Sequence, residues 1–444
     1  MKERFFSCAL ALLLLASLPI AAQDFGFGDI TDEGDAGRGA TFGATFGAGS
    51  LPFALSVSGE AGVELLNYVK ELDKPSDTAL DIKFKGKLNF EAEGTNAKAV
   101  INLNVSAPEE DFIDGMLSID EAYLRAYFGN FEIEGGLRKL TWGKADSNGP
   151  LDVINPFDYS EFINLTDLMK IKLPRPLIHG SYRIGSFSKI EAVVLPWFAP
   201  HRFAETGRWA QPSPLPLTVP SDDELRKLKY AQAGARFTTT IGPVDFGAQY
   251  FYGRMYQPST QVIFTGMMPT GIDLDYNRYH QIGIDYAQVI AGFNLRAEAA
   301  ANLTDDFAGD NGAVQNPAIL WSLGFDRDLF LGINLNLQCN ESIRLMHSEI
   351  SEDPLLDTEA GSDITTTRIT AVVSKKFLRD ELEVRATGIY GIEDKDFLII
   401  PGIFWTIRNI QLEFSSGIFG GGQDGQLGQY RNNSFIKIGM RYAF

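Results

Sequence analysis

The sequence predicts an all-β chain closed into a transmembrane antiparallel up-and-down β-barrel of about 18 strands, within a range of roughly 14–18. Three observations predict it. Apolar and polar residues alternate over most of the chain, the links between alternating segments sort into short and long, and the last alternating segment ends the chain on an aromatic residue.

The alternation is clearest at residues 80–91. Leu80, Ile82, Phe84, Leu88 and Phe90 are apolar, and Asp81, Lys83, Lys85, Lys87, Asn89 and Glu91 stand between them. A helix would scatter those lysines around its circumference, whereas a strand puts them on one face. The same register holds at Leu55, Val57, Val63 and Leu65 against Ser56, Ser58, Glu60 and Glu64. It recurs at Ile101–Val105, Val244–Tyr252, Ile333–Leu337 and Leu382–Ala386. The apolar rows at Leu88, Val384 and Ile438 are expected to meet lipid, and Lys85, Arg385 and Lys437 to be reached by water.

Alternation alone also fits a soluble sandwich. The links decide between them. Short turns fall near 94–96, 129–130, 185–186, 242–243, 327–328, 376–380 and 408–409. Between them lie mostly longer loops, at 66–78, 106–116, 143–176, 197–227, 253–271, 302–316, 346–363 and 419–432, with one brief exception at 393–396. Strands of roughly 9–12 residues are near the length a tilted strand needs to cross a bilayer. A membrane barrel sorts its loops this way; a sandwich has no reason to.

The two ends agree. Lys2 and Arg4 precede an apolar run from Phe5 to Ile20, and Ala21-Ala22 precede Gln23-Asp24. This is the plan of a secretory signal peptide over 1–22. A flexible acidic segment over 23–48 and the barrel over 49–444 follow. Beyond the leader no run of about 18 apolar residues occurs, so a membrane position requires strands. Ile436, Ile438, Met440, Tyr442 and Phe444 share one face of the last strand. Tyr442 and Phe444 look like the terminal signal read by the barrel assembly machinery of a bacterial outer membrane.

Composition excludes several classes. A formal net charge of −18 argues against nucleic acid. Cys8 lies in the leader, which leaves Cys339 without an internal disulfide partner or a cysteine metal site. Asp305, Asp306, Asp310 and Asn311 lack calcium-loop spacing and read as a solvated acidic loop. The four histidines are scattered and no G-x-S-x-G motif stands out, so no catalytic site, metal or cofactor is expected. Charges on the polar strand faces are nearly balanced, which suits a hydrated lumen of weak ionic preference.

Two loops are too long to be connectors, 143–176 and 197–227. In the first, Asn155-Pro156 and Asp158 read as tight-turn chemistry, and 159–172 as room for a short helix. In the second, Ser221-Asp222-Asp223-Glu224 is a capping box. Trp142-Gly143-x-x-Asp146 with Asn155-Pro156-x-Asp158, and Pro196-x-Phe198-x-Pro200-x-Arg202-Phe203 ending in Arg208-Trp209, resemble a porin-like family of bacterial outer-membrane barrels. They are more distantly similar to polysaccharide-export and porin-type barrels. The resemblance covers roughly residues 80–230, and it marks both loops as pore constrictions. Trp142, Lys144, Asp146, Asp158, Arg202, Arg208 and Trp209 are then candidate pore or ligand contacts. The rings and guanidinium groups would stack on sugars or grip carboxylates, or else anchor the loops to the wall. The expected function is a porin or facilitated-diffusion channel for small hydrophilic solutes, set in outer-membrane lipid and compatible with a homo-oligomer. A surface adhesin is the alternative, and a barrel-form hydrolase is a third class.

Overall fold

The structure, a computed structural model, describes residues 41–42, 53–70, 80–108, 117–146, 149–165, 168–211, 213 and 215–444. The expected signal peptide lies outside the described residues, as does most of segment 23–48. The exception is Thr41–Phe42, which pairs with Leu55 and Ser56.

Eighteen strands among the described residues close into an antiparallel barrel. They are β1 (Phe53–Tyr68), β2 (Leu80–Gly94), β3 (Ala97–Pro108), β4 (Leu117–Phe128), β5 (Phe131–Arg138) and β6 (Arg175–Ile184). Next come β7 (Ser188–Leu195), β8 (Gln232–Ile241), β9 (Val244–Arg254), β10 (Arg278–Ile290), β11 (Phe293–Thr304) and β12 (Ala318–Asp328). The last six are β13 (Ile333–Arg344), β14 (Thr365–Phe377), β15 (Leu382–Gly391), β16 (Asp396–Ile407), β17 (Ile410–Gly421) and β18 (Phe435–Ala443). Each pairs with its sequence neighbours, and β18 pairs with β1 from Glu60↔Ala443 to Tyr68↔Phe435. Phe444 seals the seam by exchanging backbone hydrogen bonds with Gly59, at 2.8 and 2.9 Å.

The two faces are those the alternation predicts. Phe84, Val384, Ile403, Phe414 and Ile438 are exposed on the outer wall. Glu64, Lys85, Asn104, Arg385 and Glu413 point into the lumen. Lys437 departs from expectation. It faces the lumen but is only 6% exposed, held by Glu64 at 3.4 Å and Glu413 at 3.1 Å.

All short turns lie at one end and the longer links at the other, with the 392–395 link again the brief exception. The eighth short turn, at Ala291-Gly292, has no signal in a run of apolar residues, yet both residues adopt positive φ (52° and 81°). The turn expected at 327–328 falls at 329–332. A bulge between Asn102 and Leu103 opposite β4 breaks strict alternation there. It turns both Asp120 and Glu121 to the lumen. Residues 159–172 hold a 3-10 turn (Phe162–Asn164) and one helical turn (Leu168–Ile171) instead of a single helix. The capping box forms as expected, with Ser221 Oγ accepting from Glu224 N–H over Asp222–Leu225.

Candidate functional site

The lumen is lined by ion pairs that run along the wall between neighbouring strands or, for Arg236 and Asp285, across Gly247 of the strand between them. Lys85 meets Glu64 at 2.6 Å, Lys139 meets Asp120 at 2.6 Å, Arg236 meets Asp285 at 2.7 Å, and Arg441 meets Glu60 at 3.1 Å. Cross-strand pairing of opposite charges holds these groups against the wall and leaves the bore between them.

The 139–174 link does not arch outward but folds into the lumen. Its base is held by Asn155, which is fully buried. The Asn155 carboxamide accepts from Leu140 N–H (2.8 Å) and donates to the carbonyls of Arg138 and Leu173. The expected tight turn is therefore a brace that ties both ends of the loop together. Lys172 and Asp152 form an ion pair at 2.6 Å in the loop's interior, and Lys172 also donates to Thr141 Oγ1. Burial pushes the Asp152 carboxyl up, against the pull of Lys172.

Two lobes leave this base. The first, 143–151, lies on the wall of β9–β13. The Glu298 carboxylate of β11 accepts backbone N–H groups from Lys144, Ala145 (2.7 Å) and Leu151 (3.3 Å). Gly143 (φ +95°) and Gly149 make that approach possible, since a Cβ at either would collide with the carboxylate. Around it Gln249 donates to Leu151 O at 2.9 Å, Gln281 to Pro150 O at 3.0 Å, and Gln338 accepts from Asp146 N–H at 2.9 Å. Asp146 also pairs with Arg296 and accepts from Asn336 at 2.7 Å.

The second lobe crosses to the opposite wall. Glu161 pairs with Lys83 of β2, and Ile163 joins a buried cluster with Leu66, Tyr68, Leu398, Phe419 and Phe435. Phe162 stacks on Trp209 at 5.8 Å and lies 4.4 Å from Tyr430. The 196–231 link arrives at the same place, and the two loops pair with each other in parallel, Asp158-Tyr159 beside Arg202-Phe203. His201 joins them: Phe157 N–H donates to its Nδ1 at 2.8 Å, and its ring lies 5.7 Å from Phe157 and 5.0 Å from Tyr256. Burial holds the imidazole pKa down at about 4.

These positions locate each residue singled out in the sequence. Trp142 is buried with Leu140, Ile154 and Phe251, against Gly234. Trp209 is buried and donates to Tyr68 OH at 3.3 Å. The Arg208 guanidinium sits 3.6 Å over the Tyr68 ring. Asp146 is pinned to the wall. Asp158 accepts from Ser160 N–H and Oγ in a turn, and meets Arg202 at 3.1 Å. Lys144 faces the cavity 4.0 Å from Asp245, and the Arg202 side chain is 62% exposed. Tyr442 and Phe444 stack at 6.2 Å beside the closing seam. Sequence reasoning missed Glu298, Gln249, Gln281 and Gln338 as loop holders. Each lies about a hundred residues or more from its loop partner, and no local pattern marks it.

Neither a family model nor a curated protein matches the sequence. Among solved structures, OmpF of Salmonella typhi is similar over 88% of this chain and 98% of its own, at 9% identity and a TM-score of 0.43. DcaP, an outer membrane channel of Acinetobacter baumannii, is similar over 88% of this chain and 97% of its own, at 10% identity and a TM-score of 0.44. Wzi of Escherichia coli, a carbohydrate-binding β-barrel involved in group 1 capsule assembly, matches 86% of this chain and 84% of its own, at 12% identity and 0.45. The likeness is one of general barrel architecture.

Proposed function

We propose that the chain is a channel of a bacterial outer membrane through which small hydrophilic solutes diffuse, with a bore narrowed by the 139–174 loop. One observation carries this reading. A single cavity of about 4420 Å³ is lined at the turn end by Thr240, Asp328 and Asp380 and at the loop end by Asp222, Gln257 and Thr260. An 18-strand wall is wide enough for water unless filled, and the lumen-facing side chains are predominantly polar. Because their charges are paired along the wall, the channel has weak ionic preference. Lys144 and Arg202 are the solute contacts on this reading, while Trp142, Asp146, Asp158, Arg208 and Trp209 hold the loops. The barrel assembly machinery recognises the strand ending in Tyr442 and Phe444.

The test is single-channel recording of the refolded protein in planar bilayers. Discrete conductance that rises when residues 143–151 are replaced by a short glycine linker supports the channel. A folded barrel that stays electrically silent, even with both long loops shortened, overturns it and leaves a surface adhesin as the better reading.

A further inference from the structure

The outer wall at β9 and β10 changes character toward the loop end. Across this pair Ala248 faces Ile284, Tyr250 faces Ile282, Tyr252 faces His280, and Arg254 faces Arg278. They alternate with the lumen-facing Gln249 and Gln281, so all eight lie on the outer side of the wall, with Arg254 buried there at 9% exposure. Tyr250 OH and His280 Nδ1 are joined at 2.6 Å, and the Tyr252 ring lies 4.9 Å from the imidazole. Apolar, then aromatic, then cationic is the order a barrel wall shows where hydrocarbon gives way to headgroups.

At the cationic rung two arginines are direct cross-strand neighbours, a like-charge contact that repels unless an anion joins it. Their hydrogen bonds go to backbone carbonyls. Arg254 donates to Tyr276 O and to Lys229 O (3.4 Å), and Arg278 donates to Lys229 O (3.3 Å). Arg254 also lies 4.0 Å over the Tyr230 ring. These contacts hold the 227–229 segment against the rim. There Leu228 is 84% exposed between Lys227 and Lys229, which share Glu224 at 3.9 and 2.8 Å. A recess of about 370 Å³ opens beside both arginines. Asp275 and Asp305 also line it, and Asp275 Oδ1 is engaged by Tyr276 N–H at 2.8 Å. Arg254, Arg278, Lys227 and Lys229 thus gather at one rim, with Glu224, Asp275 and Asp305 among them.

We infer that this rim binds the phosphate group of an anionic lipid in the surrounding leaflet, with the acyl chains lying along the Tyr250–Ile282 face. Guanidinium groups match phosphate oxygens in a forked geometry. The bare Leu228 and the aromatic rung below favour a phosphate that arrives on a hydrocarbon body over a free one. The inference requires the barrel to sit in a membrane, as the proposed channel does, but not that its bore conducts.

The test uses the full barrel in phosphatidylcholine nanodiscs containing bisphosphorylated lipid A, with native mass spectrometry as the readout. The wild type should retain lipid A through detergent exchange, and Arg278→Gln with Lys229→Gln should retain several-fold less. Lys227→Gln with Lys229→Gln, both exposed, gives the same comparison if the first variant folds poorly. Dephosphorylated lipid A should be retained by neither. Equal retention by wild type and both variants overturns the inference, as does equal retention of the dephosphorylated lipid. Thermal protection by inorganic phosphate alone, matching that of lipid A, overturns the lipid source. A wild-type barrel that retains lipid A but conducts no current supports this site and overturns the channel reading alone.

Discussion

Two parts of the lumen wall, β8–β13 on one side and β14–β18 with β1–β3 on the other, are built from the same fold but handle polarity differently. The part formed by β8–β13 lies largely beneath the first lobe of the inward loop and carries buried carboxamides, Gln232, Gln249, Gln281 and Gln338. Among its buried charges, Glu298 has three loop N–H groups and Arg236 has Asp285 and Gln249. Below the second lobe, the wall formed by β14–β18 and β1–β3 faces the open bore, and there several ion pairs stay wet. The side chains of Lys85, Arg385 and Arg441 are 36%, 34% and 31% exposed. Desolvating a charge costs several kcal/mol unless geometry compensates it, whereas a carboxamide satisfies a loop carbonyl or N–H at lower cost. A covered wall therefore selects amides, and a hydrated wall tolerates charge.

The largest expected effect follows directly. Arg236→Met leaves Asp285 buried and without its cation, and should destabilise the folded barrel by about 3–5 kcal/mol. Arg385→Met on the open wall breaks a solvated pair and should cost about 0–1 kcal/mol. Urea titrations of refolding into vesicles measure both. Equal costs would remove the distinction between the two parts.

Glu298→Ala should come next, because it strands backbone N–H groups of Lys144, Ala145 and Leu151 that have lost water. A loss on the order of 3 kcal/mol is expected for a charged acceptor of this kind. Conductance should rise with it, since the lobe is no longer held to the wall. Unchanged conductance in a folded Glu298→Ala barrel would show that the first lobe does not narrow the bore.

Lys437 tests whether cover or wall position decides. It stands on the open wall but is buried between Glu64 and Glu413. Glu64 is also served by Lys85 at 2.6 Å, so it keeps one cation when Lys437 is lost. Lys437→Met should thus cost about 2 kcal/mol, between the values for Arg236 and Arg385. A cost as small as that of Arg385→Met would mean that water reaches Lys437 after all.

The sequence makes the barrel legible because closure imposes a period-two code on nearly every strand and sorts all but one of the links. It fails where a local signal is absent. Val289-Ile290-Ala291-Gly292-Phe293 reads as continuous strand, since no Asn-Gly or Asp-Gly marks the turn. The bulge opposite Asn102 gives no warning either. In the site, the long inward loops were visible from length and aromatic content, and the Trp142, Asp146 and Trp209 positions do gather at loop contacts. Glu298 is visible in the sequence only as one more lumen charge, because its role depends on a partner loop about 150 residues earlier. Asn155 read as a turn former because Asn-Pro is common in turns, but its side chain serves carbonyls at both ends of the loop.

The smallest effect tests the second lobe by pH. His201 lies where the two loops pair, with Phe157, Tyr159 and Phe203 around its ring and Tyr256 from the 255–277 link. The nearest charged pair, Asp158 and Arg202, is satisfied within itself, and burial raises the phenols of Tyr159 and Tyr256, which keeps them neutral. The imidazole is therefore neutral when docked, accepting from Phe157 N–H, with a pKa of about 4 against an ordinary 6.5. Between those values the undocked lobe binds more protons than the docked one, so docking weakens as pH falls through that window and is unaffected above it. The loss should be roughly 1 kcal/mol near pH 5.5. Asp152 acts in the opposite sense, since its raised carboxyl takes a proton more readily when buried, and the His201→Gln comparison below separates the two. Conductance should therefore rise as pH is lowered from 7 toward 5. His201→Gln keeps an acceptor for Phe157 N–H without a titrating ring, and its conductance should stay flat over that range. A wild type as flat as His201→Gln, or a variant that responds equally, would show that the imidazole does not govern how the second lobe sits across the bore.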